Sequence, residues 1–454
     1  MRAVLATLAI AFAPPAFAEC AAGYTQITVP LCAPVTGGVT AIPANTFLSS
    51  LGVQTHIDQG YPEAAYEPEF TYTGIRNARD ATGSYQAYIT LHNNTKSSTY
   101  PGVKMAIGGA NPPSGEITPG LALDAAGALM AFEGPNEPNN FPFVYNGNTG
   151  GDGGTWVPVA QFQADLYTAI KGNSTLAKYP VFNVSEDGGE TDNVGLQCNA
   201  LNSSCPGASA VTLMPAGTVY ADYANPHNYV QGGGSCATAA PNQAWNAEDP
   251  LLDSCWDGMQ TEYVHTWAGN FAGYSAAGVA NVPRVTSETG WDSSTSTTDY
   301  QGKVLVNTYL DGYKRGWAYT FIYEMVDEQG STGDQGLFNT NNVAKPAATF
   351  IHNMTTILQD TTNFTPGQLN YSIANEPATV HDMLLQKSNG TFYLAIWDEQ
   401  TSTSTTDNIT VTLGTPVTVT EYDTTVGTTP VATFTNATSI LLTLSDHAVF
   451  LAIP

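Results

Sequence analysis

From about residue 50 to residue 358, short apolar runs that stop at polar or turn residues alternate with stretches of helical spacing. Eight runs read as strands: Val53–Asp58, Gly74–Asp80, Val103–Gly109, Leu129–Phe132, Val181–Ser185, Asp222–Tyr229, Arg284–Glu288 and Trp317–Met325. Between them, Trp156–Lys171 carries Val159, Phe162, Leu166 and Ile170 at helical intervals. Asp257–Phe271 and Tyr300–Arg315 are further helix candidates, and Ala347–Leu358 follows Lys345-Pro346 as a last one. Strand alternating with helix argues for a parallel sheet. Three Gly/Asn/Ser-rich insertions, Phe141–Gly154, Gly188–Thr218 and Gln231–Ser254, read as loops after strands four, five and six.

From about Asp360 the pattern changes. Thr and Val become dense, and Met383–Gln386, Phe392–Trp397, Ile409–Leu413, Val417–Tyr422, Val431–Phe434 and Ile440–Leu444 read as strands. Asn389-Gly390 between the first two is a hairpin signal. An all-β sandwich over 360–454 is expected. Upstream, Cys20–Ala44 reads as a disulfide-tied lead-in with short β pieces, included with the catalytic region in 19–359. Residues 1–18 read as a secretory leader: Arg2, an apolar Ala3–Phe12, then Ala16-Phe17-Ala18 as cleavage site. A secreted or periplasmic protein is expected, without membrane insertion, because no apolar run is long enough to span.

The six cysteines support export, since an even count in an exported chain favours disulfides. Local pairing gives 20–32, 198–205 and 236–255, and the spacings do not form a zinc site. The formal charge of −26, from 13 Lys+Arg against 39 Asp+Glu, excludes nucleic acid and anionic membrane as favoured partners. It also fits an acidic habitat, where surface carboxylates are partly protonated. No P-loop, HExxH or GxSxG occurs. The acidic stretch Asp187–Asp192 lacks the spacing of an EF-hand loop.

Candidate chemistry lies at two strand ends. Leu129–Asn140 reads LMAFEGPNEPNN: an apolar strand halted at Gly134-Pro135 and followed by Asn136-Glu137-Pro138. A plain turn is the competing reading of that segment. Arg284–Trp291 reads RVTSETGW, again a short strand ending in a carboxylate, Glu288. Two carboxylates on separate strand ends are what glycoside hydrolysis requires.

These two motifs, in this order, resemble clan A of the retaining glycoside hydrolases, which includes families 39, 5 and 79. The resemblance implies an α/β fold, a (β/α)8 TIM barrel, with the C-terminal β-sandwich packed on it. It implies Glu137 as acid/base after strand four and Glu288 as nucleophile ending strand seven. It further implies that Asn136 bonds a sugar 2-hydroxyl. His227 and Tyr229, in Asn225-Pro226-His227-Asn228-Tyr229, resemble the clan's His-x-Tyr, with Tyr on the nucleophile and His beside the acid/base. Arg79, with Arg76 as its rival, would keep the nucleophile ionised. Tyr323 stands near where relatives place a Trp platform, and Glu324 would bind a hydroxyl. Trp291 and Trp256 are further platform candidates that also suit a core, and His56 would form part of the wall.

The expected activity is double-displacement cleavage of a poly- or oligosaccharide by a monomeric protein without metal or organic cofactor. Glu137 would need a raised pKa to hold its proton. A transglycosidase on the same site and a catalytically dead carbohydrate-binding protein are the alternatives.

Overall fold

The computed structural model describes residues 38–138, 140–151, 157–187, 220–223, 225–227, 229–230, 283–328, 334–400 and 404–454, together with the paired strands Tyr24–Thr28 and Leu31–Pro34. The leader, every cysteine but Cys32 and with them one or both ends of each proposed disulfide, Trp256, the proposed helix Asp257–Phe271, the acidic loop beyond Asp187 and the second and third insertions lie outside the described residues. Among the described residues no helix is long and apolar enough to cross a membrane.

The chain forms a (β/α)8 barrel carrying a C-terminal β domain. Strands one (Leu51–Gln54), two (Asn77–Ala81), three (Lys104–Gly108), four (Leu129–Glu133) and five (Val181–Phe182) pair in parallel in sequence order. Strand eight (Trp317–Ile322) pairs with strand one, and strand seven (Arg284–Thr289) with strand eight. Among the described residues strand six comprises Pro226–His227, with a bridge from Tyr223 to Phe182. It meets strand seven through a side chain: Ser287 N–H donates to Asn225 Oδ1 at 3.0 Å.

Alternation along each strand decides what faces inward. Leu51 and Val53 join the layer under the helices, while Gly52 and Gln54 point into the barrel. A Cβ on Gly52 would sit 2.4 Å from the Phe321 ring, so glycine leaves room for that side chain. Phe321 fills the lower barrel with Ala106, Met130, Ala131, Phe182 and Val285. In strand two, Ala78 packs outward and Arg79 turns in, one layer above Asn77.

Several strand ends differ from the sequence pattern for local reasons. Strand one stops at Gln54 because the Asp80 carboxylate takes the Ile57 N–H and the Thr55 hydroxyl, both at 2.8 Å. Strand two begins at Asn77 because Gly74, with φ 70°, caps a helix over Glu63–Thr73 that hydrophobic spacing does not reveal. The first insertion is not a plain loop: Phe143–Tyr145 and Asn148–Gly150 pair as a hairpin. Helices Val157–Gly172, Thr298–Lys314 and Pro346–Ile357 match the pattern within two residues.

In the C-terminal domain the four short strands expected between residues 409 and 444 are two long ones, Asp407–Asp423 and Ala432–Leu444. Gly414 and Pro416 fall where their register shifts, so a bulge absorbs the residues that read as a break. The first half of Asp407–Asp423 pairs with Tyr371–Ala374 and the second with Ala448–Ile453. The strand thus passes between two layers around Leu394, Ile396, Val411, Val419 and Leu451. Val39–Thr40 and Ile42–Pro43, from the lead-in, also pair with strands of this region.

The other face of this sheet packs on the barrel helices, and Met383, Leu385, Trp397 and Phe450 share the barrel's core. Trp397 Nε1 donates to Asp311 Oδ1 at 2.7 Å from helix Thr298–Lys314. Trp397→Phe removes that donor from a fully buried carboxyl. It is expected to cost about 1–3 kcal/mol, seen as a lower urea midpoint at unchanged m value.

Candidate active site

A cavity of about 540 Å³ opens at the C-terminal ends of the barrel strands. It is lined by Gln54, His56, Arg79, Glu133, Asn136, Glu137, Tyr229, Glu288 and Tyr323, among others. This is the barrel face on which loop-borne function is expected.

Arg79 is the hub. Its Nε and Nη2 donate to the two oxygens of Glu133 at 2.7 and 2.9 Å, a fork-to-fork pair. Nη2 also reaches Asn136 Oδ1 at 2.6 Å, and Nη1 reaches Gln54 Oε1 at 2.9 Å and pairs with Glu288 Oε1. Burial opposes the Arg79 charge, but the charges and hydrogen bonds of Glu133 and Glu288 outweigh it and raise its pKa. Arg76 is not part of the site. Its guanidinium binds Asn45, Ser49 and the Asp360 carbonyl elsewhere on the barrel.

Tyr229 donates to Glu288 Oε2 at 3.0 Å. Burial first, then the Glu288 charge, push the phenol well above its ordinary value, so it remains a neutral donor. His227 links the two catalytic candidates. Its Nδ1 lies 2.5 Å from Glu137 Oε1 and 3.6 Å from Glu288 Oε2. The ligating atoms of Glu137, His227 and Glu288 all lie within 4.8 Å of one another.

The hydrogen-bond directions around His227 fix where protons sit. The Ser287 hydroxyl donates to Glu133 Oε1 at 2.7 Å, so its oxygen accepts from His227 Nε2, 2.8 Å away. The Nδ1–Glu137 contact then holds one proton. Burial alone would raise Glu137, but the hydrogen bond and charge of His227 reverse this and the net shift is downward. His227 is raised in turn: burial lowers it, and Glu288 and Glu137 more than compensate. This corrects the expectation of a raised Glu137. The cause is the contact with His227, which favours the charged form of both partners.

The remaining candidates divide. Asn136 is exposed to the cavity, where its neighbour Arg79 orients it. His56 and Tyr323 form the wall opposite Glu137, with rings 5.6 Å apart. Glu324 does not line the cavity; its carboxylate lies 3.0 Å from His56 Nδ1. Burial raises its pKa, partly offset by the histidine. Trp291 is not a platform: it is 5 % exposed, packs against Tyr300 and donates to Ser296. The motif reading missed Glu133, Gln54, Asn225 and Ser287. Glu133 had a signal, since a carboxylate directly ending the apolar run Leu129–Phe132 must find a buried partner.

Among the described residues, two side-chain groups have metal-ligand composition, Glu137–His227–Glu288 and His56–Glu324–Glu328. In the first, the Arg79 guanidinium already occupies Glu288, and both His227 nitrogens are engaged. That donor set fits a proton better than a divalent cation.

No family model matches the chain, and no curated protein matches it. Solved structures do. A family 39 glycoside hydrolase from the gut symbiont Bacteroides cellulosilyticus WH2 superposes with TM-score 0.56 at 13% identity, over 91% of this chain and 82% of that one. A thermostable GH51 alpha-L-arabinofuranosidase from Thermotoga petrophila RKU-1 gives 0.56 at 9% identity, over 92% and 98%. A GH30 endoxylanase from Clostridium papyrosolvens C71 gives 0.50 at 11%, over 92% and 97%. At such identities the likeness establishes the fold: a TIM barrel with a C-terminal β domain.

Proposed function

We propose that this chain is a secreted retaining glycoside hydrolase that cleaves a poly- or oligosaccharide. The carrying observation is the closeness of Glu137 and Glu288: an oxygen of each flanks His227 Nδ1, at 2.5 and 3.6 Å, and one oxygen of each lies no more than 4.8 Å from the other. Retaining enzymes hold their carboxyl groups about 5–5.5 Å apart, whereas inverting enzymes need about 6.5–9.5 Å to admit a water. The solved structures of like fold bear glycoside hydrolase names, which supports the same reading. The leader-like Met1–Ala18 supports export.

Glu288, held by Arg79 and Tyr229, attacks the anomeric carbon. The leaving oxygen takes the proton stored in the His227–Glu137 contact through the Glu137 carboxyl. Asn136, fixed by Arg79, is the donor for the neighbouring hydroxyl of the sugar. Once Glu288 is an ester it no longer carries the charge that most raises His227, so the emptied pair favours the base form. Glu137 then takes a proton from water as that water releases the sugar with its original configuration.

Proton NMR of the first anomer released tests this reading directly, with a panel of β-xylosides, β-glucosides and α-L-arabinofuranosides bearing aryl leaving groups. Retention is expected. Inversion, or no turnover of any glycoside, contradicts it.

A further inference from the structure

The cavity has two unlike ends. Over strands one to three its lining is polar, with Gln54, His56, Asp58 and Asp80. Beyond Glu137 it meets Phe141, which lines the cavity yet is 62 % exposed. An exposed phenylalanine is ordinary on a loose loop, but this segment is fastened at several points. The N–H groups of Asn140 and Phe141 both donate to the Glu137 carbonyl, at 2.9 and 2.7 Å. Glu137 itself takes a left-handed φ of 39°, which turns the chain back on the site. The following hairpin is anchored by Tyr145 on Asp165 at 2.6 Å and by Asn111 on the Val144 carbonyl at 2.8 Å. Phe143 and Tyr145 pack edge-on against Phe162. The aromatic face is therefore held in place beside the acid/base candidate, and among the described residues no group covers most of it.

Resting on the glycoside hydrolase reading, we propose that Phe141 is the stacking platform of a leaving-group subsite, and that the moiety bound there is a sugar ring. The direction follows from the chemistry. Glu288 approaches the anomeric carbon from one side, and the leaving oxygen lies on the side of Glu137. Whatever that oxygen carries extends past Glu137 toward Phe141. A pyranose ring presents a face of C–H groups that packs on an aromatic ring, whereas a small alcohol covers little of it. The same platform receives an acceptor sugar in the reverse sense, so the subsite also favours transfer to sugars over transfer to small alcohols.

The glycosyl-enzyme separates this proposal from the reading beneath it. The protein is first trapped with dinitrophenyl 2-deoxy-2-fluoro glycosides of the xylose, glucose and arabinose series. Excess reagent is removed, and the return of activity is followed with xylobiose, cellobiose or methanol added as acceptor. In the wild-type protein a disaccharide is expected to accelerate reactivation more than methanol does. In Phe141→Ala that preference should fall about tenfold, the scale of one aromatic contact, and Phe141→Tyr should keep it. An equal preference in Phe141→Ala, or none in the wild type, overturns the subsite. Failure of every reagent to trap the protein overturns the hydrolase reading itself, and the subsite with it.

Discussion

Glu288→Gln is expected to lose turnover of every glycoside by roughly 10⁵-fold, because no covalent intermediate can form. The amide keeps the volume of the side chain, its oxygen still accepts from Arg79, and the Tyr229 hydroxyl can turn to accept from its nitrogen, so the fold should persist. Glu137→Ala should behave differently. Natural substrates should lose about 10²–10⁴-fold, the usual weight of general acid catalysis. An aryl glycoside with a good leaving group needs little protonation, so its first step should survive and the intermediate should accumulate. Azide, which needs no general base, should restore turnover and give a glycosyl azide of retained configuration. Steady-state rates with and without azide check both variants. Wild-type activity of Glu137→Ala on polysaccharide would contradict the role assigned to Asn136-Glu137-Pro138.

Glu69→Gln should stabilise the protein at alkaline pH and leave it nearly unchanged at pH 4. Glu69 lies on helix Glu63–Thr73, is 2 % exposed, and neither carboxylate oxygen has a hydrogen-bond partner among the described residues. Burial raises its pKa from 4.5 to about 8. The folded state therefore binds this proton more tightly than the unfolded state. Stability is constant below the unfolded value, falls by about 1.4 kcal/mol per unit as pH rises between the two values, and levels off above about 8. The full loss is about 3–5 kcal/mol, and the glutamine variant should lack it. Asp80 and Asp311, both pushed up to about 6, and Asp398, pushed up to about 7, act in the same direction. The wild-type protein should accordingly be more stable at pH 5 than at pH 8. Urea midpoints of both proteins across that range measure the difference, and parallel pH dependences would exclude Glu69 as a source.

The parallel barrel was legible because its strands are apolar runs that end abruptly. The two strand-end carboxylates were legible because each follows such a run. Arg79 could be placed on strand two, but Arg76 stayed a rival until the register fixed which of them points inward. Glu133 went unnoticed because the strand was ended one residue early, so its pairing with Arg79 had no place in the motif reading. Trp291 illustrates the opposite error. Trp suits a sugar platform and a core equally, and only its packing on Tyr300 decides between them. The His-x-Tyr resemblance put His227 beside Glu137, but the downward shift of Glu137 follows from a contact across 90 residues whose geometry no local pattern encodes. Long strands in the C-terminal domain were divided at Gly414 and Pro416 because a bulge and a turn use the same residues.

The central claim is that Glu288 forms the bond to the sugar while Glu137 and His227 manage the proton. Mass spectrometry of peptides from the protein trapped with a 2-deoxy-2-fluoro glycoside tests it most directly. The account predicts one adduct, on Glu288 in the segment Arg284–Trp291. An adduct on Glu137, or on the neighbouring Glu133, would contradict it.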